Sequence, residues 1–441
     1  MIDAASDRRP APAGIGRGRA RQCAWLGADG AQAQAGGVCE PGGWHEQGAG
    51  AGGALHHPGK DVSVCMERGI SCKSLATGTC VRVDGTWRGS PGREQAAELA
   101  ADRVSVLGAC ASEYAVQKKY HTPEFLRTIP HLRIASRGMP RVLQLRSQLT
   151  RLVQEFFTQE EFCQVQAPVI TPSDCEGAGE AFGVTSTQEG ASSKELFFGR
   201  PAYLTVSTQL HLEALAQGVA RVWTMSPAFR AEKSQTNRHL AEFTMVEAEA
   251  AFVEDVEELM DLVERLVRYV LSKADLPLAH ISQHRWPRVS YTDAVDMLAA
   301  EPAWTQPVVW GKALASEHEQ WLCKRFNGPV FIFNYPRACK PFYMKSNDNA
   351  PERETVACFD FLADGLELAG GSLREHRHEQ LCASLEAHGI QQLGWYVDLR
   401  RFGCPPHGGF GLGFDRLVQW LVGGHIKDVV PFPRSHNSLS L

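Results

Sequence analysis

The stretch Phe229–Phe243, which reads FRAEKSQTNRHLAEF, predicts two antiparallel strands joined by a polar loop. One strand ends at Phe229 and the next begins near Phe243. This grouping suits a nucleotide, because Arg230 can grip a phosphate, Glu232 can accept from an adenine amine and Phe243 can stack on the base. The alternative is a hairpin with surface ion pairs, which is the commoner explanation of an isolated Arg-x-Glu sequence.

A second stretch, Gly408 to Arg416, reads GGFGLGFDR. Glycines that alternate with apolar residues let a backbone approach a ligand closely, and Arg416 would open a helix that points at the ligand. The alternative is a tight strand-to-helix turn with Asp415 as the helix cap and Arg416 in solvent. The glycine spacing is not that of a Rossmann fingerprint, and the sequence has no Walker A, HExxH or GxSxG signature.

Two carboxylates, Asp360 and Glu367, lie seven positions apart, just before the glycine-containing sequence GGSLRE. On one sheet edge they could hold magnesium through oxygen ligands and water. Taken alone, two such carboxylates are more often exposed charges of strands and loops.

Apolar spacing predicts the main helices and strands. Residues at intervals of three and four from Val142 predict a helix that ends near Thr158, and a longer helix is predicted from Val256 to Ser272. Predicted strands lie around Pro168 and at 202–206, 222–225, 243–249, 330–334 and 356–362. Because turns and loops, and not regular crossover helices, join most strands, we expect an α+β domain with a largely antiparallel sheet flanked by helices.

The N-terminal region differs in composition from the rest. Glycine and alanine fill 27 of the first 60 positions, so residues 1–61 are expected to be a low-complexity or disordered segment. Its five arginines are a feature of organelle transit peptides, although a truncated or mistranslated gene model explains the segment at least as well. Alternation at Val81 and Val83 predicts short strands of a small, incomplete β-barrel within residues 62–111. Residues 112–136 form a basic and aromatic linker, and a larger domain covers 137–441.

Composition excludes several classes of protein. The 441 residues include 45 basic and 50 acidic ones, a net charge of −5, which excludes a strongly basic nucleic-acid coat but permits a local basic face. No apolar run is long enough for a membrane span. The 13 cysteines are scattered and form no CxxC pair, which argues against a zinc ribbon or disulfide scaffold and for a reducing compartment.

Together, these stretches resemble the class II aminoacyl-tRNA synthetases. Phe229–Phe243 is similar to motif 2, Gly411–Arg416 to motif 3, and the helix ending near Phe157 with the strand around Pro168 to motif 1, the dimerisation motif. The amino-acid sequences of these motifs most resemble those of the aspartyl/asparaginyl branch, and within it those of the mitochondrial asparaginyl enzymes. The resemblance covers about residues 75 to 441. It implies an OB-type anticodon barrel, a hinge and an antiparallel-sheet catalytic domain, in a homodimer of the mitochondrial matrix, with the cytoplasm as the alternative.

The resemblance also implies roles for individual residues. Arg230 and Arg416 would be catalytic and would act on the phosphates of ATP. The other residues expected at ATP are Glu232, Arg238, His239, Phe243 and Glu367. Glu367 with Asp360 would carry Mg²⁺, and Glu176 would contact the amino acid from a mobile loop at 174–180. Adenylate formation needs positioning and charge neutralisation, and no covalent enzyme nucleophile.

The expected substrate is asparagine, with tRNA(Asn) as its acceptor. Gln209, Glu213 and Arg374 would bind the amino acid. An aspartate-specific relative has a lysine where this chain has Leu212. We expect Arg374 to donate to the amide oxygen and Glu213 to accept from its nitrogen, so that aspartate would meet a like charge.

Other functions stay open on the sequence alone. Asp415 stands where the asparaginyl branch usually has glutamate, which slightly favours aspartyl-tRNA charging. An asparagine synthetase on the same core is disfavoured by the predicted N-terminal strands. A non-catalytic RNA-binding paralogue is disfavoured because Arg230 and Arg416 are both present.

Overall fold

A computed structural model describes most of the chain in separate stretches. They are residues 19–26, 32–34, 61–66, 75–89, 97–136, 138–172, 181–186, 196–234, 236–274, 276, 285–301, 303–348, 353–390 and 393–439. The chain divides into two compact units, residues 1–144 and 145–441, which are described in turn.

The elements are numbered along the chain. The strands are β1 Arg19–Leu26, β2 Gln32–Gln34, β3 Asp61–Met66, β4 Cys80–Gly89, β5 Ala97–Gly108, β6 Cys163–Gln164, β7 Ile170–Thr171, β8 Gly183–Val184, β9 Ala202–Leu204, β10 Arg221–Phe229, β11 Glu242–Ala251, β12 Arg288–Ser290, β13 Val330–Phe333, β14 Cys358–Ala363, β15 Leu366–Leu373 and β16 His407–Gly413. The α-helices are α1 Pro123–Thr128, α2 Pro130–Arg133, α3 Met139–Gln159, α4 Gln209–Val219, α5 Val256–Lys273, α6 Tyr291–Ala299, α7 Ser316–Arg325, α8 His378–Ala387, α9 Gly394–Arg401 and α10 Phe414–Val422.

The first unit contains a closed barrel of five strands in the order β1-β2-β3-β5-β4. Its described core consists of Val81 and Val83 of β4 with Leu99 and Ala101 of β5. The alternation predicted at Val81 and Val83 therefore places these two side chains inside a barrel.

The N-terminal strands correct one expectation. Strand β1 pairs antiparallel with β4 from Arg19↔Thr86 to Trp25↔Cys80, and both β1 and β2 lie in the segment 1–61, which was expected to be low-complexity or disordered. The sequence of β1, RARQCAWL, lacks β-branched residues, and backbone pairing to a neighbouring strand does not require them. The barrel is thus closed and not partial, whereas the limits of the four predicted segments stay a prediction.

The second unit contains an eight-stranded sheet in the order β12-β13-β14-β15-β16-β11-β10-β6. Every neighbouring pair is antiparallel except the two at the ends, β12–β13 and β10–β6. The predicted α+β domain with a largely antiparallel sheet is confirmed. A small sheet, β7-β9-β8, completes the described strands of this unit.

The centre of the sheet joins the three stretches singled out in the sequence. Strand β16, which contains the glycines, lies between β11 and β15, so Gly411 pairs with Glu247 on one side and with Gly370 on the other. The pairing of β14 with β15 shifts register between Phe361 and Leu362, which leaves Leu368 as an extra, bulged residue.

The two faces of this sheet differ. A side chain at Gly408 would meet Leu259 of α5, whereas one at the neighbouring Gly409 would meet the carboxylate of Glu249. Successive residues of a strand face opposite ways, so α5 covers one face and acidic side chains line the other. Helix α5 buries its apolar stripe and begins with a capping box made by Asp255 and Glu258. No helix in the described stretches combines the length and the apolarity that crossing a membrane requires.

Candidate active site

A cavity of about 210 Å³ opens on the acidic face of the central strands. The predicted site residues that border it are Gln209, Leu212, Arg230, Asp360, Glu367 and Arg374. These residues come from α4, the end of β10, β14, β15 and the residue after β15, so the cavity exists only once the sheet has formed.

The phosphate-binding prediction centres on Arg230, which follows β10 directly. Its backbone N–H donates to the carbonyl of Ala241 at 2.9 Å, which holds it beside the start of β11. Its guanidinium lies 5.5 Å from the ring centre of Phe243 and 4.0 Å from Glu232. Glu232 also lies 4.0 Å from the imidazole of His239. The structure therefore brings Glu232, His239 and Phe243 together beside Arg230, which borders one end of the cavity.

Arg416 occupies the first turn of α10. It donates to the backbone carbonyl of Glu367 at 2.8 Å and to that of Arg238 at 3.4 Å, and it lies 3.7 Å from the Glu367 carboxylate. Burial, and next the positive charge of Arg416, lower the pKa of His239. The alternative of a solvated Arg416 is therefore wrong.

Arg238 points elsewhere. It pairs with Glu319 at 2.9 Å and donates to the carbonyl of Gly365 at 3.4 Å. It borders a separate cavity of about 310 Å³ together with Gln419. Among the residues expected to bind ATP, Arg238 is thus the one that the structure turns away from Arg230.

The carboxylates of Asp360 and Glu367 both lie next to Gly370, which has no side chain. A Cβ atom added at Gly370 would lie 3.4 Å from Asp360 Oδ1 and 3.3 Å from Glu367 Oε1, so both carboxylates point at this glycine and its lack of a side chain leaves space between them. Facing carboxylate oxygens are the ligands that a hard cation such as Mg²⁺ prefers, so the pair fits such an ion.

The two carboxyl groups of this pair titrate differently. Burial raises the pKa of Asp360, and the charge of Glu367 adds to this against the opposing effect of Lys340. Partial burial disfavours the charged form of Glu367, but the positive charges of Arg416 and Lys340 outweigh it and lower the pKa of this carboxyl group. Lys340 was not among the predicted site residues, and its ammonium lies 3.0 and 2.9 Å from the two oxygens of Asp360.

The other end of the cavity holds a buried ion pair that sequence reasoning found only in part. The guanidinium of Arg374 contacts the carboxylate of Glu249 through Nε at 3.2 Å and Nη2 at 3.0 Å. A third contact, at 2.8 Å, joins Nη1 to the hydroxyl of Ser372. Arg374 was predicted and Glu249 was not, although the alternating carboxylates Glu247 and Glu249 in the strand EFTMVEAEA were a visible signal.

Glu247 fixes the start of α4. Its carboxylate accepts from the Ser207 hydroxyl at 2.5 Å, and from the Thr208 hydroxyl at 2.5 Å and backbone N–H at 3.1 Å. Because α4 carries Gln209 and Leu212 into the cavity wall, Glu247 sets the position of both.

Glu213, which was expected to accept from the substrate amide, is held by other side chains of the protein. Its side chain has no exposed surface, and Gln209 donates to one oxygen at 3.0 Å. The other oxygen accepts from Tyr396 at 2.7 Å, Arg400 at 2.5 Å and His407 at 3.0 Å. Because each oxygen already accepts a hydrogen bond and the side chain has no exposed surface, Glu213 is an anion behind the cavity wall.

The electrostatics agree with that position. Burial opposes ionisation of Glu213, but Arg400 and His407 outweigh it, so the pKa of the carboxyl is well below its usual range. Burial also disfavours a charged His407, yet its contacts with Cys404 and Glu213 prevail and raise the pKa of the imidazole to about 10.

Comparison with known proteins identifies the family. The model of the tRNA synthetases class II (D, K and N) matches residues 122–436. The chain belongs to this family. The mitochondrial asparagine–tRNA ligase of Saccharomyces cerevisiae is 40% identical over 418 residues, which cover 82% of this chain and 83% of that protein. The asparagine–tRNA ligase of Desulfotalea psychrophila is 43% identical over 389 residues, which cover 82% and 85%.

A solved structure agrees over the whole length. The asparaginyl-tRNA synthetase from Pyrococcus horikoshii, complexed with asparaginyl-adenylate, superposes with a TM-score of 0.80 at 28% identity and covers 100% of both chains. The resemblance given by the three motifs is therefore confirmed.

Within this family the residue at Asp415 was a departure that favoured aspartate. Asp415 is 3% exposed and accepts from Arg146 at 2.6 Å and from the backbone N–H of Thr244 at 2.7 Å. It thus connects α3, α10 and β11 and does not border the cavity. The predicted loop at 174–180, with Glu176, lies outside the described residues.

Proposed function

We propose that this chain activates asparagine with ATP and transfers the asparaginyl group to tRNA(Asn). The observation that carries the proposal is the Arg374–Glu249 pair at one end of a cavity whose other end holds Arg230. An amide needs both a donor and an acceptor, and this pair offers both. The names of the relatives and the asparaginyl-adenylate of the solved neighbour support the same substrate.

Two reactions follow one another in this proposal. The asparagine carboxylate attacks the α-phosphorus of ATP, and pyrophosphate leaves. A ribose hydroxyl at the 3′ end of the tRNA then attacks the acyl carbon, and AMP leaves. Arg230 and Arg416 neutralise negative charge as it builds up on phosphate oxygens, while Glu232 and Phe243 bind adenine.

Selection of the amino acid depends on charge and hydrogen bonding at the buried end. Arg374 donates to the oxygen of the substrate amide, and Glu249 accepts from its nitrogen. Aspartate would bring a second carboxylate against Glu249, and the apolar Leu212 offers no cation in compensation. Glu213 acts through others, because it holds Gln209, Arg400 and His407 in place.

Mg²⁺ belongs to the proposal as well. Asp360 and Glu367 would hold it, and it would neutralise charge on the phosphates of ATP. The support is the convergence of both carboxylates on Gly370.

We further infer a two-fold homodimer that works in the mitochondrial matrix. Pro168, in the expected dimerisation motif, is exposed in the single chain and available to a partner. The mitochondrial relative in Saccharomyces cerevisiae supports the compartment. The closed barrel would bind the anticodon, as OB-type barrels bind oligonucleotides.

The test is ATP–pyrophosphate exchange with the purified full chain and asparagine, aspartate or no amino acid. We expect exchange with asparagine to exceed exchange with aspartate by about 10³-fold or more. Equal exchange with aspartate would transfer the assignment to aspartyl charging. No exchange with either amino acid would favour the non-catalytic RNA-binding paralogue. An aspartyl-adenylate that reacts with ammonia would favour an asparagine synthetase.

A further inference from the structure

Lys340 follows a short 3₁₀ turn, Arg337–Cys339, and its side chain borders the cavity. It lies at the end that holds Arg230, Asp360 and Glu367, which is called the phosphate end. The ammonium lies 3.0 and 2.9 Å from the two oxygens of Asp360, so it donates a hydrogen bond to each of them. It also lies 4.0 Å from the centre of the Tyr335 ring, a favourable position for a cation. The side chains of Lys340 and Asp360 are only 17% and 16% exposed, so solvent screens this ion pair poorly.

The same Asp360 oxygens are those that a divalent cation would need. Mg²⁺ binds carboxylate oxygens directly at about 2.0–2.1 Å, so on Asp360 it would lie next to an ammonium that already contacts both oxygens. Two positive charges at such short range in a poorly screened cavity repel each other strongly. Glu367 does not offset this repulsion, because its negative charge is already paired with Arg416 at 3.7 Å.

We infer that Lys340 is a resident counter-cation that competes with the divalent cation for Asp360. In the empty enzyme it keeps Asp360 and Glu367 from repelling each other and keeps the affinity for free metal low. When ATP arrives with its metal, the flexible four-carbon stem lets the ammonium leave Asp360 and meet a phosphate oxygen. Divalent cation therefore enters with the nucleotide and not before it. This inference rests on the proposed function and makes Lys340 a positioning residue for that reaction.

The experiment is a titration of the ATP-free full chain with Mn²⁺, followed by the EPR signal of the free ion. We expect Lys340→Met to bind Mn²⁺ about tenfold or more tightly than the wild-type chain, because one repelling charge is removed. Lys340→Arg keeps the charge and should stay within about threefold of wild type. Lys273→Met is the matched control, since it also removes a lysine that lies over a tyrosine ring, Tyr269.

A second change locates the effect. Adding Asp360→Asn to Lys340→Met should abolish the gain in Mn²⁺ affinity. Unchanged or weaker Mn²⁺ binding by Lys340→Met would overturn the inference, as would an equal gain in Lys273→Met. If Lys340→Met does not fold, as judged by its thermal midpoint, Lys340→Gln replaces it and the same outcomes apply.

The role of Lys340 and the proposed function are tested by different measurements, so that one can be refuted without the other. Mn²⁺ binding is read without amino acid, ATP or turnover, whereas the proposed function is read from asparagine-dependent pyrophosphate exchange by the wild-type chain. In the exchange assay, Lys340→Met should need less Mg²⁺ for half-maximal rate but reach a lower maximal rate. A structural role alone would lower the rate without shifting the Mg²⁺ dependence.

Discussion

The two ends of the active-site cavity are built in opposite ways. At the phosphate end two of the charged side chains keep contact with solvent, with exposures of 31% for Arg230 and 44% for Glu367. At the amino-acid end Arg374 is 4% exposed, and Glu249 and Glu213 are not exposed at all. The phosphate end can thus adapt to charge that changes during the reaction, while the amino-acid end fixes a geometry in advance.

Substrate selection should depend on Glu249 and not on Glu213. We expect Glu249→Gln to reduce the preference for asparagine over aspartate from about 10³-fold to roughly 10-fold, because the like charge that repels aspartate is gone. The measurement is pyrophosphate exchange with both amino acids. Glu213→Gln is the matched control, and a larger loss of preference in that variant would restore the original expectation for Glu213.

Phosphate handling should fail without loss of stability. We expect Arg230→Ala to lower the rate of asparagine-dependent exchange about 10²-fold or more, because a charge is lost where the transition state needs it. The thermal midpoint should change little, since Arg230 is partly exposed. Arg151→Ala removes an arginine that pairs with Glu155 on α3 and serves as the control. Exchange rates near wild type in Arg230→Ala would refute the motif 2 assignment.

The buried end should instead respond in stability. Glu213→Gln removes one partner of the buried contacts with Arg400 and His407, which costs about 3–5 kcal/mol in the free energy of unfolding. Glu155→Gln breaks the exposed pair with Arg151 and should cost about 0–1 kcal/mol. Denaturant unfolding of both variants measures the difference. Equal costs would mean that the buried network is no more stabilising than a surface pair.

The smallest effect concerns pH. The pKa of His407 is raised in the folded state to about 10, so its stabilising charge is fully present below its ordinary pKa and is lost as the pH rises through about 10. Between pH 7 and 10.5, the thermal midpoint of the wild-type chain should fall roughly 2–4 °C more than that of His407→Gln. Parallel curves for the two proteins would show that His407 is neutral in the folded chain.

The sequence predicts what depends on local spacing. The periodicities of α3 and α5 lie within single elements, and so does the start of α10 at Arg416. The role of Glu213 could not be predicted, because its partners Arg400 and His407 lie 187 and 194 positions away. The pairing of Lys340 with Asp360 likewise appears only once β14 is in the sheet.

The bulge at Leu368 has a consequence for how this site can change by mutation. Two residues that face the same side of a regular strand are an even number of positions apart, yet Glu367 and Gly370 are three apart and face each other. The extra residue supplies the missing step. An in-frame loss of that one codon would leave Glu367 and Gly370 two positions apart, so regular alternation would still place both on the same face. The gene would then encode a regular hairpin that keeps both acidic side chains on the active-site face.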